Sequence, residues 1–398
     1  MDKQNYDSEH EEQSNIDSPE IKNHSKLKKI LMISGISIIV LLLIFVWLRY
    51  TRSGRRVLYK IAGRVIHQGL DNEDDVEASS VIIPIEREPI KEDVDRTEPK
   101  KDTHINKPVE KEEVVQRIKP DPRKEDYVSN YLLFGLEEFF GAKNADTIMI
   151  ASINTKDCTI KLTSILRDTY IEFGEYKPNK INAFFSLGGA KTLVSVIEDK
   201  YRIKIDGYAY INFDAFESII DYLGGISIEL GEEEAEYLNT TNYISNPENR
   251  SVTPGWNELN GNQVLGYCRV RKVKTLGGAN DDYGRTLRQR RVLKAIFNKY
   301  KSKGVIELFR ISNNILGYVK TNVTQKQIEK ALEDIIENKI TKMDTLRIPV
   351  NNAFETPKEY NGVTSPLVYD WDANIAELYK FIYLDTDDEA INNVIKYK

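Results

Sequence analysis

The 398-residue chain carries 56 basic and 62 acidic residues, which gives a formal net charge of −6 at pH 7. This balance provides no overall attraction to nucleic acid or to an anionic membrane, so any affinity for phosphate must come from a local cluster. All histidines precede the segment that is predicted to fold: His10, His24, His67 and His104. Histidine-based nucleophilic catalysis and histidine-ligated zinc are therefore excluded from that segment.

An apolar run follows a polar N-terminal segment. Residues 1–29 have no apolar periodicity until the run begins, and they predict a disordered cytoplasmic tail. The run at 30–48 contains only two serines and a glycine among its apolar residues, and its length matches the hydrocarbon thickness of a bilayer. Because no small-residue cleavage site follows it, we expect an uncleaved, single-pass transmembrane anchor.

Residues 49–125 begin as a basic juxtamembrane segment and continue as a stalk dense in charged residues and proline. Spaced apolar residues at 51–69 fit either an amphipathic helix on the membrane surface or a loosely ordered extension of the anchor. The remainder predicts a disordered, extended stalk. Basic residues flank the anchor on both sides, so charge alone does not decide its orientation. Since long domains translocate largely regardless of charge, we expect an extracytoplasmic catalytic domain.

Residues 126–384 predict one α/β domain, with helices layered on both faces of a central mixed sheet (αβα). The predicted strands lie at 131–134, 147–153, 158–166, 208–211 and 226–230. One helix is predicted after Gly188 and Gly189, and another is predicted to open at Asp214. Further helices are predicted at 263–266, 285–300, 305–316, 325–337 and 373–381. Residues 385–398 are expected to form a C-terminal tail.

The two cysteines, Cys158 and Cys268, show no CxxC or CxxH spacing, so a structural zinc site is not expected. Both fall in segments that are predicted as buried strands. This placement favours two unpaired core thiols over a disulfide.

Arginine is concentrated in one part of the domain, where six arginines lie within residues 269–291. Arg269 and Arg271 share a face of an extended segment. Three polar residues share one stripe of the following helix: Arg285, Arg288 and Gln289. Forked guanidinium donors on adjoining elements suit a pyrophosphate. Composition alone favours a solvated or salt-bridged basic face equally.

A second set of polar residues falls at the ends of three predicted strands. Glu137 ends the first strand, Asp146 opens the second, and Arg167 and Asp168 end the third. Residues that close neighbouring strands often meet at one edge of a sheet, where α/β proteins place their sites. Two carboxylates there can hold Mg²⁺ or Mn²⁺ through oxygen ligands. The alternative is capping and turn chemistry, because Asp and Glu favour such positions.

Several motifs resemble, in order, those of the LytR-CpsA-Psr family of Gram-positive cell-wall enzymes. They include LTSILRDT at 162–169, NKINA at 179–183 and DDYGRTLRQ at 281–289. Other matching segments lie at 133–137, 145–148, 212–216, 223–225, 259–263 and 267–271.

The resemblance implies an αβα domain whose interior groove takes a polyprenyl chain. It also implies a Mg²⁺-dependent (or Mn²⁺-dependent) transfer of a phosphorylated glycopolymer from an undecaprenyl-pyrophosphate carrier to peptidoglycan. The expected location is the cell membrane, with membrane lipid as a partner and without nucleic acid.

Carried over by position, the resemblance assigns the metal to Glu137 and Asp146. It assigns a pyrophosphate clamp to three arginines: Arg167, Arg269 and Arg271. The same site would be lined by Asp282, Arg285 and Gln289, with Arg288 as a neighbour. Either Asp168 or Asp282 would take the proton of the acceptor hydroxyl.

Two positions depart from the family pattern. Glu137 stands where the family usually has Asp, and it reaches one methylene further. Asn144 replaces a phosphate-facing arginine, for which Lys143 can substitute as a point charge. A lipid-pyrophosphate phosphatase, with water as acceptor, and a non-catalytic wall-polymer binding or regulatory module remain alternatives.

Overall fold

The computed structural model describes residues 48, 50–72, 120–139, 142–301 and 315–398. The predicted tail, the apolar run up to residue 47, most of the stalk and most of the helix at 305–316 lie outside these residues. The chain divides into two compact units, 1–61 and 62–398, and the features discussed below belong to the second. Among the described residues, no helix combines the length and apolar character needed to cross a membrane.

The described helices are α1 Arg52–Gly69, α2 Phe184–Tyr201, α3 Phe213–Tyr222, α4 Glu232–Thr240, α5 Gly261–Arg269, α6 Asp281–Lys301, α7 Gln325–Glu337, α8 Trp371–Tyr383 and α9 Asp387–Lys396. The longer strands are β2 Val128–Phe139, β3 Ala142–Asn154, β4 Thr159–Ile165, β7 Gly207–Asn212 and β11 Lys342–Ile348. The shorter strands are β1 Asp71–Asn72, β5 Tyr170–Phe173, β6 Tyr176–Lys180, β8 Ile226–Leu230, β9 Gly255–Leu259, β10 Lys320–Thr321, β12 Phe354–Glu355, β13 Glu359–Tyr360, β14 Val363–Thr364 and β15 Val368–Tyr369.

Seven strands form one sheet in the order β1-β10-β7-β2-β3-β4-β11. The three central strands β2, β3 and β4 are antiparallel to one another. On either side of them the sheet continues with a parallel neighbour, β7 beside β2 and β11 beside β4. The predicted α/β fold with a central mixed sheet is therefore confirmed. β11 was not predicted from the sequence.

One core lies between a face of this sheet and the helices α2, α8 and α9. Alternate residues of β2, Leu132 and Phe134, are buried in it, as the period of a strand requires. Leu193, Val196 and Ile197 of α2 are buried against them, so the predicted apolar face of this helix is confirmed.

The opposite face of the sheet carries α6. Ile165 of β4 packs in the first core, so its neighbour Ser164 points to the other side. Ser164 lies in register with Arg347 of β11, and the Arg347 guanidinium stacks over the ring of Tyr283 on α6 at 4.3 Å. Helices therefore cover both faces, and a second core forms among α3 to α6 and the hairpin of β8 and β9.

Both ends of the predicted domain need correction. Residues 385–398 are not a tail, because α9 packs against α8 and buries Ala390 and Val394 in the first core. At the other end, Arg123 belongs to the fold and not to the stalk. Its guanidinium forms a bidentate pair with Asp385, with both side chains at most 6% exposed.

Smaller details also differ. Cys158 is exposed just before β4, and Cys268 is buried in helix α5, so only one of the two thiols belongs to a core and neither lies in a strand. Both are unpaired, as expected. The helix that was predicted to open at Asp214 is capped instead by Asn212, whose side-chain oxygen accepts a hydrogen bond from the Ala215 amide.

Candidate functional site

A β-bulge places the first carboxylate of the site. In the pairing of β2 with β3, Gly135 is opposite Thr147 and Leu136 is opposite Ala145, which leaves Asp146 as the additional residue. A bulge of this kind re-aims a side chain and is common beside active sites. Glu137 follows immediately on β2, opposite Asn144, and its carboxyl group is hydrogen-bonded to that of Asp146.

The turn after β4 contributes Arg167 and Asp168. Arg167 is buried, and its Nη1 donates to Asp146 Oδ2 at 2.8 Å. Asp168 is partly exposed and pairs with Lys180 Nζ at 2.9 Å, at the end of β6. Lys180 belongs to the NKINA motif, but sequence reasoning gave it no role.

The first turns of α6 complete this side of the site. Arg285 Nη2 donates to Asp282 Oδ2 at 2.9 Å, one turn earlier on the same helix. The same carboxylate lies 3.5 Å from Arg167 Nε and 4.0 Å from Arg271 Nη1. Asp282 is thus surrounded by three guanidinium groups from three different segments.

Arg269 ends α5 and reaches the opposite side of the carboxylate pair. Its Nη2 donates to Glu137 Oε1 at 3.1 Å, and its guanidinium lies 5.0 Å from the centre of the Phe213 ring. Phe213 orients this arginine through a cation–π contact, a role that the sequence did not indicate. The structure brings Glu137, Asp146, Arg167 and Asp168 together with the arginine cluster.

The pKa values of Glu137 and Asp146 are shifted in opposite directions. Burial, followed by the hydrogen bond and negative charge of Asp146, raises the pKa of Glu137 to about 7 against the opposing charges of Arg269 and Arg167. Burial alone would also raise the pKa of Asp146, but the bond from Glu137 and the charges of Arg167 and Arg285 hold it below its usual value. Of the two carboxyl groups, Glu137 therefore takes up a proton more readily, and Asp146 keeps its negative charge.

The buried guanidinium groups keep spare donors. The Nε atoms of Arg167 and Arg285 are buried and have no hydrogen-bond partner among the described residues. Burial and the positive charge of Arg167 lower the pKa of Arg285, against the charges of Asp282 and Asp146. Burial would lower the pKa of Arg167 as well, but Asp146, Asp282 and Asp168 raise it. Such preorganised donors favour an incoming anion.

Three residues that were predicted to bind substrate do not join this cluster. Arg288 is fully buried and donates to Glu234 and to the carbonyl groups of Val270 and Val273, so its predicted substrate contact is wrong in this structure. Gln289 is also buried and its Nε2 lies 3.5 Å from the Cys268 carbonyl oxygen. Lys143 is half-buried on β3, and its side chain has no described contact with the site.

The carboxylate pair fits a hard divalent cation. Among the described residues, no three or more His, Cys, Asp or Glu side chains are grouped to bind a metal ion. Mg²⁺ commonly binds through only one or two carboxylates, with phosphate and water oxygens completing its shell. Glu137 and Asp146 provide oxygen ligands whose carboxyl groups lie in hydrogen-bond contact, so these two residues would hold the ion.

A model of the LytR_cpsA_psr family matches residues 92–374. The chain belongs to this family. The match confirms the resemblance that the motifs indicated, and it contains every residue of the site described above.

Curated proteins of this family show the same relationship. The chain is 32% identical over 227 residues to a Bacillus licheniformis protein named polyisoprenyl-teichoic acid–peptidoglycan teichoic acid transferase TagU. It is 31% identical over 226 residues to the Bacillus subtilis protein of the same name. These alignments cover 56% and 55% of this chain and 66% of each relative, just under two thirds of its length.

Solved structures of LytR-CpsA-Psr proteins share the fold. Bacillus subtilis TagV superposes with a TM-score of 0.50 at 24% identity, over 65% of this chain and 99% of that one. The Streptococcus agalactiae protein gbs0355 gives a TM-score of 0.50 at 22% identity, over 64% of this chain and 88% of that one. At these identities the likeness supports the fold alone.

Proposed function

We propose that this protein transfers a phosphorylated glycopolymer from a polyprenyl-pyrophosphate carrier, undecaprenyl pyrophosphate, to peptidoglycan. The observation that carries the proposal is the cluster of Arg167, Arg269, Arg271 and Arg285 around three carboxylates in a domain without histidine. The printed name of the TagU relatives, teichoic acid transferase, supports the same class of reaction.

The transfer exchanges one phosphorus–oxygen bond for another. The acceptor hydroxyl oxygen bonds to the phosphorus that carries the polymer, and the bond from this phosphorus to the oxygen of the lipid phosphate breaks. Negative charge grows on that leaving oxygen. The Nε atoms of the buried Arg167 and Arg285 make no hydrogen bond to the described residues, although Arg167 Nε lies 3.5 Å from Asp282 Oδ2. Such fixed donors stabilise the developing charge without reorganisation.

The acceptor hydroxyl must lose its proton during the reaction. Asp282 already engages Arg285 and lies close to Arg167 and Arg271, so it is poorly placed to take this proton. Asp168 is more exposed and contacts Lys180 on its outer side. We assign the general base to Asp168, with Lys180 holding its carboxylate in position.

A divalent cation on Glu137 and Asp146, Mg²⁺ or Mn²⁺, would supply charge neutralisation for the pyrophosphate. These two carboxylates are also the present partners of Arg269 and Arg167. If Glu137 and Asp146 held the ion, their negative charge would be shared between it and the two guanidinium groups, which would leave Arg269 and Arg167 better able to contact phosphate oxygens. The ion pairs thus link the occupancy of the carboxylate pair to the availability of the arginines for phosphate.

The lipid part of the donor requires an apolar surface beside the clamp. Leu132 and Phe134 of β2 face the first core. Tyr131 and Leu133 point to the opposite face of the sheet, where they are half-buried. Glu137 lies on the same strand. A polyprenyl chain on this face would therefore bring its pyrophosphate towards the carboxylate pair.

We extend the proposal to a single-pass, membrane-anchored protein with an extracytoplasmic catalytic domain.

The experiment uses the purified full chain with a lipid-pyrophosphate-linked polymer, with and without peptidoglycan. Arg269→Ala should abolish transfer while circular dichroism and melting temperature stay near those of the wild type. Lys272→Ala removes an exposed charge three residues along and should leave transfer intact. Full turnover by Arg269→Ala would refute the proposed clamp. Equal phosphate release without peptidoglycan would identify a phosphatase, and binding without turnover a non-catalytic module.

A further inference from the structure

A second group of cations lies on a different stripe of α6. Arg290 is only 8% exposed, yet its Nε and Nη1 have no hydrogen-bond partner among the described residues. Burial and the like charge of Arg347 lower the pKa of Arg290 to about 10. Buried guanidinium donors without partners destabilise a fold, and a protein seldom retains them without a compensating anion.

Arg347 is the charged neighbour of Arg290, and Ser164 lies beside Arg347 on the adjacent strand. Arg347 of β11 is half-buried, stacks on the Tyr283 ring at 4.3 Å and donates through Nη2 to Asn351 at 2.7 Å. Tyr283 and Arg290 lie seven residues apart, hence on one stripe of α6. Ser164 of β4 is in register with Arg347, and its buried hydroxyl has no partner among the described residues.

Arg290 lies away from the site around Asp146. The other two members lie nearer to it, because Arg347 contacts Tyr283, beside Asp282, and Ser164 precedes Arg167 by three residues. Eight residues separate Asp282 from Arg290 along α6, which corresponds to about 12 Å along the helix axis. That distance exceeds the span of a single pyrophosphate. Tyr283 and Arg347 are half-buried and give the group a side that faces solvent.

We propose that Arg290, Arg347 and Ser164 form a second oxyanion site, which binds a phosphate group. The two guanidinium groups supply charge-assisted donors, and the Ser164 hydroxyl donates to a further phosphate oxygen. The site does not depend on the transfer reaction proposed above, because it rests on a different set of residues. A phosphodiester within a polymer and a free or terminal phosphate share the chemistry that it recognises.

The test measures phosphate binding to the full chain in detergent by calorimetry, at matched ionic strength. The clamp is first weakened by Arg269→Gln with Arg271→Gln, and the second site is then read as the part of the remaining binding that is lost when a residue of that site is replaced. Adding Arg290→Met should lower phosphate affinity at least about tenfold. The matched control Lys294→Gln removes an exposed charge from the same helix and should leave affinity unchanged. Arg347→Gln should weaken binding in the same direction as Arg290→Met.

Melting temperature distinguishes a binding role from a structural one. Without phosphate, Arg290→Met should melt at or above the parent temperature, because an unpartnered buried charge has been removed. A lower melting temperature, or undiminished phosphate affinity, overturns the proposal.

Binding of inorganic phosphate and binding of dimethyl phosphate are measured separately. Binding of both indicates a polymer phosphodiester, binding of inorganic phosphate alone indicates a free or terminal phosphate, and binding of neither refutes the site.

Discussion

Arg288 Nε donates to Glu234 Oε1 at 2.8 Å, and both side chains are completely buried. The remaining Arg288 donors reach the carbonyl oxygens of Val270 and Val273 at 2.9 Å. The segment between these carbonyls carries Arg271. Arg288 therefore joins α6 and α4 to the segment that carries Arg271 of the proposed clamp. It contributes to the site by holding this segment in place and does not itself contact the site.

Replacing Arg288 with Met should destabilise the protein by about 3–5 kcal/mol, because the Glu234 carboxylate would remain buried without its partner. Denaturant unfolding followed by circular dichroism measures this loss. The double variant Glu234→Leu with Arg288→Met removes both charges and should recover much of the stability. If Arg288→Met kept wild-type stability and lost only transfer, the structural assignment would be wrong.

Removal of divalent cations by a chelator should abolish transfer, and Mg²⁺ should restore it. Glu137→Gln should raise the Mg²⁺ concentration needed for half-maximal activity at least about tenfold, since one of two carboxylate ligands is lost. Glu137→Asp keeps the oxygen ligand and serves as the matched control. The metal assignment fails if Glu137→Gln responds to Mg²⁺ as the wild type does.

One thiol per native chain should react with a disulfide reagent at pH 8. Cys158 is exposed, whereas burial raises the pKa of Cys268 to about 12, so the latter stays protonated and inaccessible. Both thiols should react after unfolding in denaturant. Cys158→Ser should abolish native reactivity, and a reactive thiol in that variant would contradict the burial of Cys268.

The Asp385 carboxylate should make acid stability depend on pH. Burial would raise its pKa, but hydrogen bonds from Arg123 and Asn393 and the charge of Arg123 hold it below the usual value. A depressed folded pKa stabilises the protein above the unfolded pKa of about 3.9, and this contribution disappears as pH falls through the folded value. Asp385→Asn should therefore cost about 3 kcal/mol at pH 7 and progressively less below about pH 4.

Denaturant titrations of both proteins between pH 2 and pH 7 would measure this difference. Asp387→Asn is the control, because Asp387 is exposed and its pair with Lys380 contributes at most about 1 kcal/mol. A constant difference across the pH range would exclude Asp385 as the titrating group.

Local pattern predicted much of the fold. Strands β2, β3 and β7 contain continuous apolar residues, and α7 was predicted with its observed bounds because its apolar residues repeat at helical spacing. The sequence did not reveal β11, which alternates weakly and is stabilised by pairing with β4. The sequence also did not predict α9, because its few apolar residues become buried only when the helix packs against α8.

The sequence by itself determined the chemistry that is available: a domain without histidine, rich in arginine and carboxylates, with motifs in the order of one family. It could not distinguish a guanidinium that faces a ligand from one that is buried in the core. Arg285 and Arg288 lie one turn apart, yet one joins the site at Asp282 and the other pairs with Glu234. That difference depends on which carboxylate the tertiary structure brings within reach, because an arginine is equally charged in either place.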